Sequence, residues 1–66
     1  MYQRVEVWIA RSGMTRRELA QSIGMSYNTL NAKLRGKSNF TLDEATRLKE
    51  ILRADETIEA LFERSA

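Results

Sequence analysis

The chain has 66 residues, 42% of them hydrophobic and 30% charged, with 11 Lys/Arg against 9 Asp/Glu and a net charge of +2. So short a chain holds one domain with a small core, since a domain of about 60 residues buries only about 60% of its unfolded surface. It contains no cysteine and no histidine, which removes disulfides, thiolate or imidazole metal sites and the usual general bases, so neither cofactor, metal nor enzymatic chemistry is expected. The longest apolar run, Val7–Ala10, has four residues, against the roughly 20 that span a bilayer. No apolar stretch of signal-peptide length follows Met1. A cytoplasmic protein with no membrane partner is expected.

With no proline in the chain, Gly13, Gly24 and Gly36 supply the punctuation. Each closes a segment with three- to four-residue apolar spacing, as a left-handed helix cap does. Val5, Trp8 and Ile9 precede Gly13, giving a first helix with Trp8 facing the core. Thr15-Arg16-Arg17-Glu18 is a capping box that opens a second helix, whose Leu19, Ala20 and Ile23 lead to Gly24. Ser26 can cap a third, carrying Leu30 and Leu34 and ending near Gly36. Thr41-Leu42-Asp43-Glu44 is a second capping box, with Phe40 placed to staple against Ala45. It opens a fourth helix over about Leu42–Arg53, with Leu42, Ala45, Leu48, Ile51 and Leu52 on its apolar face. Asp55 can cap a fifth over about Glu56–Arg64, carrying Ile58, Leu61 and Phe62. The one alternating stretch, Val5-Glu6-Val7, is too short for a strand. The fold class is therefore all-α, a five-helix domain over residues 1–66.

Only Gly24-Met25-Ser26 separates the second and third helices, so the pair over about 16–35 forms either an αα-hairpin or a helix-turn-helix. The stretch Leu19-Ala20-Gln21-Ser22-Ile23-Gly24-Met25-Ser26-Tyr27-Asn28-Thr29-Leu30 resembles the helix-turn-helix of the Xre/lambda-repressor-like (Cro-type) DNA-binding family. Gly13-Met14-Thr15 before it and Leu34-Arg35-Gly36-Lys37 after it extend the likeness. Asn39-Phe40-Thr41-Leu42-Asp43-Glu44-Ala45 resembles the start of the fourth helix in phage-type members. The resemblance covers about residues 5–53. Lys33 departs from it, standing where many members have an apolar residue, and Leu34 takes that inward place here.

Charge is divided along the chain. Residues 1–37 hold seven Lys/Arg and two acids, net +5, and residues 38–66 hold four Lys/Arg and seven acids, net −3. Such asymmetry suggests a basic face for a polyanion and an acidic body. The exposed residues expected on the third helix are Tyr27, Asn28, Asn31, Ala32 and Lys33. Asparagine pairs bidentately with adenine, and an alanine methyl packs on that of thymine. The resemblance implies that Tyr27, Asn28 and Ala32 face base edges, with Asn31 close by, and that Arg16 holds a phosphate. Arg17, Ser26, Lys33, Arg35, Lys37 and Asn39 are candidate phosphate contacts, which position a protein without reading sequence. Two cations at a helix start, Arg16 and Arg17, oppose its dipole, and a phosphate accounts for them.

The expected function is that of a small repressor- or Cro-like regulator, binding a double-stranded operator through the helix at 27–35. No ligand domain is present, so no small-molecule ligand is expected. Ile58, Leu61 and Phe62 are a large apolar allotment for a last helix and are expected to serve as a homodimer seam, since such regulators occupy paired half-sites. Contacts with polymerase or another regulator are further candidate partners, and the setting is a bacterial or phage-infected cell, at the nucleoid. The alternative is a protein-interaction module of the same fold that modulates a repressor through its acidic fourth and fifth helices.

Overall fold

A computed structural model of the chain describes residues 2–63. Among these the elements are α1 (Gln3–Ser12), α2 (Arg16–Ile23), α3 (Tyr27–Leu34), α4 (Leu42–Leu52) and α5 (Ile58–Leu61). The starts follow local chemistry. Thr15 Oγ1 accepts from the Glu18 N–H at 3.1 Å while the Glu18 carboxylate accepts from the Thr15 N–H at 2.9 Å. Thr41 and Glu44 repeat the pattern with the same two distances. Ser26 caps α3 through the Thr29 N–H.

The stops are also local, with one exception. Gly24 has φ 82°, and the Met25 N–H turns back to the Ala20 carbonyl at 3.0 Å, a reversal that needs the left-handed region open chiefly to glycine. α4 ends in the same geometry, with the Ala54 N–H on the Lys49 carbonyl at 3.1 Å, but its left-handed residue is Arg53 at φ 54°. A side chain there costs about 1–2 kcal/mol, partly offset in comparison with glycine by glycine's greater unfolded-state entropy. Arg53→Gly is therefore expected to stabilise the protein by about 0.5–1 kcal/mol, a rise of a few degrees in Tm by thermal melting. An unchanged or lower Tm would contradict this account of the α4 stop.

One core runs through all five helices. Val5 of α1, Leu19 of α2, Leu30 and Leu34 of α3, Leu48 of α4 and Leu61 of α5 are the fully buried large side chains. α4 packs against α1, α2 and α5, and α2 also packs on α3. The segment between α4 and α5 is pinned to α1 by Glu56, which accepts from Trp8 Nε1 at 2.7 Å and from Arg4 at 2.6 Å. Tyr2, Phe40 and Phe62 form an edge-to-face trio with ring centroids 5.2–5.7 Å apart, an arrangement favourable beyond its burial alone. Among the described residues no helix is long and apolar enough to cross a membrane.

Three expectations, on α5, on the end of α4 and on Leu42, are corrected. α5 is a single turn capped by Thr57, whose Oγ1 accepts from the Ala60 N–H at 3.1 Å, because Glu56, expected inside the helix, is held by α1 instead. The outer end of the expected helix, Arg64, lies outside the described residues. α4 stops at Leu52, one residue early, at the Arg53 reversal. Leu42 is 73% exposed, since the first residue of α4 reaches past the elements that cover Ala45 and Leu48. The seam expected at Ile58, Leu61 and Phe62 is mostly used inside the protomer. Leu61 has no exposed surface, Phe62 is half-buried in the ring trio, and Ile58 is half-buried at a groove beside Lys49, Glu50, Arg53 and Asp55.

Candidate nucleic-acid interface

The α2–α3 pair is set by what its inner faces bury. Leu19, Ala20 and Ile23 of α2 and Leu30 and Leu34 of α3 are all buried, so the roll of α3 is fixed from within. Residues between those positions must turn outward. Asn28 and Thr29 are exposed on the first turn of α3, while Tyr27, Asn31 and Ala32 are half-exposed. The Ser26 hydroxyl serves the start of this helix, donating to Thr29 Oγ1 at 2.7 Å and accepting from the Thr29 N–H at 3.1 Å.

Tyr27 is braced by a cation. The Arg17 guanidinium lies 4.5 Å from its ring centroid, an attraction of about 0.5–1 kcal/mol at an exposed site. Beside it, Glu6, Arg16, Tyr27, Asn31, Leu34 and Arg35 line a cleft of about 290 Å³ where α1, the start of α2 and the outer side of α3 meet. Two cations and two polar residues singled out from sequence thus converge. The convergence includes an acid that sequence reasoning missed: Arg16 Nη2 donates to Glu6 Oε1 at 2.6 Å. Nothing in the sequence signals this pair, which spans ten residues and two helices.

Lys33 is turned the other way. Its side chain is only 13% exposed, its ammonium lies 2.6 Å from Glu44 Oε1, and it sits 6.0 Å from the Phe40 ring centroid. Position 33 faces α4, so the apolar stem is covered while the charged end reaches a carboxylate. This resolves the departure at that position, with Leu34 fully in the core and Lys33 bridging α3 to α4. Arg35, Lys37 and Asn39 are exposed along the chain that leaves α3. Among the described residues no carboxylate pairs with Arg17, Arg35 or Lys37, whereas Arg4, Arg16, Lys33 and Arg47 each have one.

Three carboxylates are held below their ordinary pKa. Glu18 is lowered by the Thr15 N–H and hydroxyl. Glu44 is lowered by Lys33 first and the Thr41 N–H second, and Glu56 by Trp8 first and then Arg4. The unfolded chain therefore binds protons more readily in acid. The stability these groups give is complete above the ordinary carboxylate pKa of about 4.3 and is lost as pH falls through their lower folded values. The chain has no side chain with an ordinary pKa between about 5 and 8. Urea midpoints are expected to be flat from about pH 5 to 8 and to fall steadily below about pH 4. A drop between pH 8 and 5 would contradict this assignment.

A helix-turn-helix family model matches residues 9–58, more than half of the chain, from the last turn of α1 to the first residue of α5. Comparison with curated proteins and with solved structures gives no match.

Proposed function

Because the chain belongs to the Cro-type helix-turn-helix family of DNA-binding transcription regulators, we propose that it is a repressor-type regulator that binds a short operator by laying α3 in the major groove. The observation that supports this reading is where three cations lie, although Arg11, Lys49 and Arg53 elsewhere also lack a carboxylate partner among the described residues. Arg17, Arg35 and Lys37, which have no carboxylate partner among the described residues, flank the helix that exposes Asn28. Phosphates would meet the cations, and base edges would meet Asn28, Asn31 and Ala32, with Tyr27 held by Arg17 at the rim. Arg16 joins the phosphate set when it leaves Glu6. Lys33 is left out because Glu44 already holds it.

We further propose that two copies bind together. The groove beside Ile58 carries Lys49 and Arg53 as well as Glu50 and Asp55, so a two-fold related copy can set cations against carboxylates around an apolar centre. Its place of action is then where its DNA lies, in the cytoplasm.

Mobility shift across a salt series tests the first part. Three to four phosphates per protomer give a dimer a slope of about −5 to −7 in log K against log salt. No binding at low salt would overturn the reading and favour a protein-interaction module. Selection of bound sequences from random DNA tests the second part: a palindrome supports paired half-sites, and a lone half-site argues for a monomer.

A further inference from the structure

We infer that Arg53 is an interface residue, kept in a left-handed backbone at the end of α4 because its guanidinium pairs with Glu50 of a second copy across a two-fold axis. The inference rests on the proposal that two copies bind together, and it gives that pairing a register. Two residues here run against local preference. Arg53 takes φ 54°, where glycine would end the helix with less strain. Glu50 stands in the last turn of α4, where an acid opposes the helix dipole. That dipole favours a cation, but Lys49 already supplies one, so it does not call for Arg53 as well.

Neither residue is offset by an ion pair within the protomer. Glu50 and Arg53 are exposed and three residues apart, the spacing at which opposite charges pair along a helix. Arg53 has left the helical path, and among the described residues neither side chain has an ion-pair partner. Both line one groove with Lys49, Ala54, Asp55 and Ile58. A two-fold axis centred on Glu50 or on Arg53 would set like charge against like. An axis between them, with the two α4 helices antiparallel, sets Arg53 of each copy against the partner's Glu50, since such a contact is made twice. The same register brings Lys49 towards the partner's Asp55. Ala54 is 7% exposed and Ile58 half-buried, so the apolar part is small against the roughly 800 Å² per partner of a stable interface. The pairing is therefore weak in solution and takes hold when adjacent half-sites bring two copies together.

The test measures cooperativity, the gain in affinity per protomer on a duplex with two selected half-sites over a duplex with one. Dividing by the single-site affinity removes the effect of net charge. Glu50→Arg and Arg53→Glu, each alone, are expected to lose cooperativity about tenfold, as two exposed ion pairs become two like-charge contacts. An equal mixture of the two variants should regain it, because each then meets its opposite, and so should the chain carrying both changes. Arg53→Gly should raise Tm yet reduce cooperativity about two- to fivefold for each pair lost, whereas a purely structural role would move both in one direction. Unchanged cooperativity in the single variants, or a mixture that does not regain it, would overturn the inference while leaving the dimer proposal intact. A wild type without cooperativity would overturn that proposal as well, and a wild type that binds no duplex would overturn the DNA-binding reading with both.

Discussion

Leu30→Ala is expected to cost about 2–5 kcal/mol, out of a total that for a chain of this length is about 3–10 kcal/mol. Leu30 is fully buried, and it lies on α3, which supplies two of the fully buried large side chains that close the core. Removing it leaves a cavity that the short helices on either side cannot close, because α2 and α3 are held in place at their ends by the Gly24 reversal and the Ser26 cap. Urea denaturation followed by far-UV circular dichroism should show the midpoint falling towards zero. A loss under about 1 kcal/mol would mean that Leu30 is not sealed in the core.

Asn28→Ala, two residues away on the opposite side of the same helix, is expected to do the reverse. Asn28 is exposed and makes no contact that supports the fold, so its removal should leave the urea midpoint within about 0.5 kcal/mol of wild type. Binding to the selected duplex should weaken by about 1–3 kcal/mol, with random DNA little changed, because a base-reading amide is lost without loss of charge. Arg35→Ala is the contrast. It should weaken both duplexes alike and flatten the salt slope by about 0.9 per protomer. If Asn28→Ala also weakened both alike, Asn28 would be a backbone contact. Competition titrations with both duplexes at fixed salt distinguish the outcomes.

What could be read from the sequence was whatever local chemistry decides. Thr15 with Glu18 and Thr41 with Glu44 open helices where expected, because both partners of a capping box lie within four residues. Gly24 and Gly36 mark reversals because few other residues adopt a positive φ comfortably. Arg53 makes the same reversal without a glycine, so the end of α4 carries no local mark. The choice between Asp55 and Thr57 as the last cap was not local either. Both residue types cap well, and the decision is made by Arg4 and Trp8 of α1, which grip Glu56 across 52 and 48 residues. Periodicity gives a residue's angle around a helix but not where the neighbouring elements end, so Leu42 looked as buried as Ala45. For the same reason Leu61 could be read as an interface residue when it closes the protomer's own core. On the candidate interface, the outward set on α3 follows from the inward one. The partners that retune its cations, Glu6 on Arg16 and Glu44 on Lys33, come from other helices and leave no trace in the spacing.

The ring trio has a consequence for how the molecule opens. Tyr2 and Phe62 stand 60 positions apart in the chain, yet each rests on the other and on Phe40. The two ends thus act as a single clasp, and loosening either one unseats both. Phe40 directly follows Asn39 and precedes the Thr41 cap, so the clasp also anchors the stretch that presents Lys37. Fraying at a terminus is then transmitted to the rim of the proposed groove-binding surface. A short linker from residue 63 back to residue 2 would close the clasp covalently and is expected to slow hydrogen exchange beside both rings and at the start of α4 together.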